Sequence, residues 1–255
     1  MKKMKISYVL CICFTSSKWC ANRIEDYNGF LWPSKGRVTY PNFRSNTEGT
    51  HGLMGLLNGC GSSRRPVNGN EQWLLVAVPT DTLIHLQGGV KFLEGEVIMS
   101  SQSRYEVIAE LERLNPATKG MPIIGANRVS LERGSFVAVG DYGIAVAQDK
   151  GTAVAGEQGS AIAGHGGIAM SGYGGTSTVG DFGKASSLER GTVIAGANGV
   201  ATVKASGSKA KAGINGKLIF THNYMGKVFN FLVDGITVKP DTFYRCWEGK
   251  LLLAE

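Results

Sequence analysis

The chain has 255 residues, a formal net charge of +7, 43% hydrophobic and 18% charged residues, and 36 glycines. This balance excludes a disordered chain, and no apolar run is long enough to span a membrane as a helix. The lysines and arginines form no single run interleaved with aromatics, so the charge does not argue for nucleic acid, and the five cysteines (11, 13, 20, 60 and 246) match no zinc spacing and read as free thiols in a reducing compartment.

The start, with Lys2, Lys3 and Lys5 before an apolar run from Ile6 to Phe14 and then Ala21, has the outline of a secretory signal. The run is short and rich in β-formers, and Trp19 and Lys18 fit a cleavage region badly. A buried first strand in a cytoplasmic protein is the expectation, with a signal as the alternative. Gly29 to Pro33 is aromatic, and Asn58 to Asn70, carrying Arg64 and Arg65, reads as a surface loop. Trp73–Val78 reads as a buried strand, Thr82–Leu86 as a second, and Val90–Ser100 contains a third. Ser103 and Glu106 form a capping box that opens a helix to about Leu114, with Tyr105, Ile108, Ala109, Leu111 and Leu114 on its packing face. This defines a small α/β unit over 1–125.

Glycine then recurs every eight residues from Gly143 to Gly207. A fixed period of this kind marks a repeat architecture. Two and four residues after the glycines stand small residues, such as Ala145 and Ala147 or Ala161 and Ala163; the alternating positions carry Val, Ile, Thr, Ser, Met or Lys. Alternate residues of a strand face opposite sides. The predicted fold is a mostly β chain in which a parallel β-solenoid (126–215), two octads per sixteen-residue coil, follows the α/β unit and is capped by β-hairpins (216–255). The small row lies inside, and the glycines of the turns supply positive φ.

Residues sixteen apart then stack. Val146, Ile162, Thr178 and Ile194 form one outward, mostly apolar column, to be covered either by the N-terminal half or by a protein partner or second copy. Asp149, His165 and Asp181 stack at one corner and Glu157, Tyr173 and Glu189 at the other. A histidine between two aspartates has the makings of a metal or proton site, and solvated turn residues are the plainer reading. Lys209 and Lys211 would point inward, so the regular coil is expected to end near Gly207. Beyond it, Lys217–Thr221 and Val228–Val233 read as strands. Asp234-Gly235 reads as a hairpin turn, and Asp241–Trp247 with Lys250–Leu253 as a second hairpin closed by Glu248-Gly249.

The tail, through Val233, Asp234, Gly235, Val238, Lys239, Pro240, Asp241, Thr242, Phe243, Tyr244, Gly249 and Lys250, resembles the end of a family of uncharacterised bacterial and phage proteins with glycine-punctuated repeats. That resemblance implies no activity. The alanine-rich octads are also similar to the β-roll of trimeric autotransporter heads.

In the N-terminal unit, Thr50-His51-Gly52 followed by Glu94 or Glu96 resembles the His-Gly pair and later glutamate of small ADP-ribosyltransferase-like folds, with Tyr27 or Tyr40 to stack on nicotinamide. No nucleotide loop, catalytic triad or metal-ligand set accompanies it, and no cofactor is expected. The reading that follows is a non-enzymatic scaffold offering a protein-interaction or self-assembly surface, with such an enzyme as the alternative.

Overall fold

The computed structural model describes residues 5–16, 23–25, 30–48, 51–62, 71–204, 206–222 and 226–254. The chain divides into two compact units, Met1–Ile124 and Gly125–Glu255.

The first unit carries β1 (Ile6–Ser16), β2 (Arg23–Glu25), β3 (Leu31–Trp32), β4 (Gly36–Thr39), β5 (Leu53–Leu57), β6 (Glu71–Pro79), β7 (Ile84–Leu86), β8 (Gly89–Phe92), β9 (Glu94–Ser101) and the helix α1 (Arg104–Leu114). Its sheet runs β4-β9-β6-β1-β5-β8-β7, with β2 and β3 extending from β1. The apolar run at the start is therefore a central strand, antiparallel to β6 from Ile6↔Pro79 to Phe14↔Glu71. One sheet face buries Val9, Cys11, Leu53, Leu74, Val76, Val90, Phe92 and Val97 with Trp32 and Val38. Val90–Ser100 holds two strands, because the chain breaks at Leu93 between β8 and β9.

The helix has the expected span but a different capping bond and face. Ser103 makes no side-chain cap bond. Ser101 Oγ instead accepts the Ser103 N–H at 3.0 Å and donates to Glu106 Oε2 at 2.7 Å. Val107, Ile108 and Leu111 are buried, whereas Tyr105 and Ala109 are exposed and Leu114 is half-buried. The apolar stripe is thus rotated toward Val107.

The second unit begins with β10 (Asn127–Val129) and β11 (Phe136–Ala138). The octad strands follow: β12 (Ile144–Ala147), β13 (Thr152–Ala155), β14 (Ser160–Ala163), β15 (Ile168–Ser171), β16 (Thr176–Val179), β17 (Lys184–Ser187), β18 (Thr192–Ala195) and β19 (Val200–Lys204). Then come β20 (Lys209–Ala212), β21 (Lys217–His222), β22 (Lys227–Leu232), β23 (Tyr244–Trp247) and β24 (Lys250–Leu253). They form two sheets, β10-β12-β14-β16-β18-β20-β23-β24 and β11-β13-β15-β17-β19-β21-β22. This is a parallel β-solenoid of about six turns in which each coil gives one strand to each sheet, neighbouring strands lying ~4.8 Å apart. Register is sixteen residues per coil, as in Ala145↔Ala161 and Ala153↔Ala169. The small row is buried throughout, and alternate residues are half-buried or exposed.

The octad glycine has a reason other than positive φ. Its φ is ordinary, and the positive-φ position is the residue before it: Tyr142, Lys150, Gln158, Phe182, Arg190 and Asn198 all lie at φ 55–59°. A Cβ on the octad glycine would point into the core, 2.7 Å from Ala147 Cβ at Gly151 and 2.8 Å from Ala163 Cβ at Gly167. The core is thin enough that each strand needs an inward hydrogen where the chain turns in.

The coil does not stop at Gly207. Parallel pairing continues through Thr192↔Lys209 and Val200↔Lys217, a step of seventeen instead of sixteen. One extra residue between β19 and β20 moves Gly207 to the positive-φ position (φ +65) and puts buried Ser208 in the place of the octad glycine. The slip reverses the side assignment of the lysines: Ala210 and Ala212 are buried, and Lys209 and Lys211 lie on the outward side. Beyond this point the interior residues grow to Leu218 and Phe220, both fully buried.

Asp234-Gly235 is no hairpin turn. Asp234 Oδ1 accepts the backbone N–H groups of Ile236 (2.9 Å), Thr237 (2.8 Å) and Val238 (3.0 Å). These bonds, that from Val238 foremost, hold its carboxyl below the usual range. They organise residues 235–238 as bends, without a paired strand. The expected second hairpin is present, β23 pairing with β24 from Tyr244↔Leu253 to Trp247↔Lys250.

Two stacked coils share a polar stretch of interior. Ser177 Oγ lies 2.8 Å from Ser171 Oγ and 2.7 Å from the Ser186 carbonyl, and Ser171 Oγ lies 3.1 Å from Ser187 Oγ. Neighbouring coils hold alanine or valine at these places. Ser177→Ala alone is expected to lower the unfolding free energy by about 1 kcal/mol, and adding Ser171→Ala and Ser187→Ala to recover most of it. Chemical denaturation followed by circular dichroism measures both. A triple variant weaker than the single one would refute a self-contained network.

Candidate functional site: the outward columns of the solenoid

Because register is fixed by the buried row, the outward residues are placed as strictly as the core. On the eight-stranded sheet, Val146, Ile162, Thr178 and Ile194 are consecutive partners across β12, β14, β16 and β18. Val129 precedes them in register on β10. Beside them run Ile144, Ser160, Thr176 and Thr192. No charged side chain stands in either column until Lys209 and Lys211. Ile162 is 39% exposed and Val129 65%. On the seven-stranded sheet the outward side starts apolar, with Phe136, Ile168 and Met170 exposed, and turns polar at Lys184 and Ser186.

The corners have a structural assignment. Asp149, His165 and Asp181 do follow one another along one edge, linked by the Lys150 N–H to the His165 carbonyl and the Gly166 N–H to the Asp181 carbonyl, both at 2.8 Å. The aspartates serve the backbone, however. Asp149 Oδ1 accepts the His165 N–H at 2.9 Å, Asp181 Oδ1 the Ala197 N–H at 2.7 Å, and Asp141 Oδ1 the Glu157 N–H at 2.9 Å. A corner aspartate thus satisfies the donor of the coil stacked on it. The His165 ring packs on Phe182, centroids 5.3 Å apart, and on the other edge the Arg190 guanidinium lies over the Tyr173 ring. Among the described residues no group of three or more His, Cys, Asp or Glu is placed to hold a metal ion.

In the first unit, His51 sits at φ +59 just before β5, its carbonyl accepting the Arg44 N–H at 3.0 Å and its buried Nδ1 without a hydrogen-bond partner. Glu94 is paired with Arg37 at 2.7 Å, and Glu96 is exposed opposite Arg37 in the β4–β9 ladder. Tyr40 packs against Phe30 as part of the core margin. Tyr27, Arg64, Arg65 and Cys20 lie outside the described residues. The feature that sequence reasoning missed here is Lys91. It is fully buried on β8, with Nζ donating to Asn46 Oδ1 at 3.0 Å and to the Glu48 carbonyl at 2.8 Å. Its stem fills the space a side chain at Gly52 would need. A lone lysine between buried Val90 and Phe92 was the available signal. Cys11, Cys13 and Cys246 are buried and Cys60 is half-buried, and burial pushes the Cys246 thiol up. No described helix is long and apolar enough to cross a membrane.

Fold and columns together define a β-solenoid repeat protein. No family model matches the chain, and no solved structure does. It is similar to ice nucleation proteins of Pseudomonas syringae and Pseudomonas fluorescens, each 35% identical over 82 residues. That stretch is 31% of this chain and 7% of theirs, so the chain matches only a small part of those relatives.

Proposed function

We propose that this β-solenoid is a non-enzymatic scaffold whose eight-stranded face serves as a self-assembly or protein-interaction surface. The observation carrying the reading is the outward column Val129-Val146-Ile162-Thr178-Ile194. A contiguous apolar stripe on a sheet whose other side is already filled by core is the usual mark of an interface. The flat, regularly spaced column favours a partner of similar flatness, and a second copy of this face meets that requirement.

The similarity to ice nucleation proteins favours a second reading, a face that organises water. The outward hydroxyls argue against its dominance. The longest run of them in one column is Ser160-Thr176-Thr192, spanning only about 10 Å across three strands, and its neighbour column is mostly apolar.

Light scattering coupled to size exclusion tests the interface. The chain is expected to run above monomer mass, and Val146→Lys, Ile162→Lys and Ile194→Lys combined to run as a folded monomer. Equal masses for the two proteins would end the self-assembly reading. Droplet freezing well above the buffer's own temperature, retained by the triple variant, would favour the water-organising face instead.

A further inference from the structure

The end of the eight-stranded face has a chemistry that neither the octads nor the apolar column predicts. From β12 to β18 its outward residues are uncharged; then three successive strands carry Lys209 and Lys211 (β20), Arg245 and Trp247 (β23) and Lys250 (β24). These strands are neighbours in one sheet, so the cations gather within about 10 Å across it. The Nζ atoms of Lys209 and Lys211 both lie 5.0 Å from the centroid of the Phe243 ring. Arg245 and Trp247 are exposed one pleat apart, the indole at 68%. The exposed acids nearest in sequence, Asp241 and Glu248, sit in the loop before β23 and in the β23–β24 turn, off the strand faces.

The geometry points to a binding surface for single-stranded nucleic acid formed by Lys209, Lys211, Phe243, Arg245, Trp247 and Lys250. Such strands are held by a row of cations along the phosphates and by aromatic rings on which bases stack. Both parts are present on one flat face. The exposed indole decides between anionic partners: an acidic peptide would use the four cations and leave Trp247 without a role, whereas a base stacks on it. Sequence positions 209–211 and 243–250 lie far apart, and the one-residue slip before β20 is what turns both lysines outward.

Fluorescence anisotropy with labelled oligo(dT) of about fifteen nucleotides, on the full chain at roughly 100 mM salt, tests it. Lys209→Gln with Lys211→Gln is expected to weaken binding roughly tenfold and to flatten the slope of log K against log salt by about 1.4, two charges at about 0.7 each. Trp247→Ala should weaken it about fivefold or more, with little change in salt slope. Lys184→Gln, on the other sheet, should leave affinity unchanged. All these side chains point outward, and overlaid thermal melts confirm that the variants fold. Absence of binding by the unaltered chain, insensitivity to the Lys209/Lys211 pair or to Trp247, or equal affinity for polyglutamate of matched charge would overturn the proposal.

Discussion

Gly175→Val is expected to destabilise the solenoid by about 3 kcal/mol or more, while the adjacent Gly174→Asn costs less than about 1 kcal/mol. The two glycines stand side by side for opposite reasons. A Cβ at Gly175 would lie 2.7 Å from Ser171 Cβ and 2.8 Å from the Gly159 carbonyl oxygen, and neither backbone nor core can yield that space cheaply. Gly174 has φ +65, the conformation that Arg190 adopts at the same corner one coil on and that Asn198 and Asn215 adopt at the same position of later octads. A side chain there would meet only the flexible end of Gln158. Chemical denaturation of both variants against the parent separates the cases. Equal losses would mean that the octad glycine is kept for its backbone and not for the thinness of the core.

The second large effect lies where the coil ends. Phe220→Ala is expected to cost about 3–5 kcal/mol. Phe220 is fully buried, pairs with Val203 below it and Phe229 beside it, and meets the Phe231 ring edge-on at 6.2 Å. The earlier coils fill their interior with alanine, serine and valine, but the last has no coil above it, and its larger side chains close the open end. β22 folds back antiparallel to complete this plug, and Gly249 of the final hairpin lies against the Phe229 ring. Hydrogen exchange should show the Asn215 and Lys217 amides losing protection before those of β14 and β16. Phe220→Leu should retain most of the stability. A loss below about 1 kcal/mol for Phe220→Ala would show that the plug is not what holds the last coil.

The periodic part of this molecule was legible because a period constrains register directly. Once the small row is placed inside, Val146, Ile162, Thr178 and Ile194 have only one arrangement, and they adopt it. The error at Gly207 comes from the same source. Glycine serves both as the inward residue of the octad and as a positive-φ corner residue, so counting by eights passes over a one-residue insertion unnoticed. With the phase off by one, Lys209 and Lys211 fall on the inward side, and the coil reads as ending near Gly207 when it continues. Asp234-Gly235 misled for a different reason: a hairpin signal assumes that backbone groups pair with each other, and here the carboxylate takes three of the donors. The helix face and the partners that bury Lys91, Asn46 and Glu48, depend on contacts between distant segments, and the local pattern shows only a lysine set between two apolar residues. What the apolar column binds is equally absent from periodicity, since the period dictates position and leaves the outward chemistry open.

The alternation of strands between two sheets gives this protein a quantum of growth. Duplicating sixteen residues inserts one whole coil, and every strand downstream keeps its sheet and its outward neighbours. Duplicating a single octad would instead send each later strand to the opposite sheet, joining the Thr178 column to that of Ser186 and carrying Lys209 and Lys211 to the other side. The gene can therefore lengthen the face freely in double steps, whereas a single step would cut every column in two.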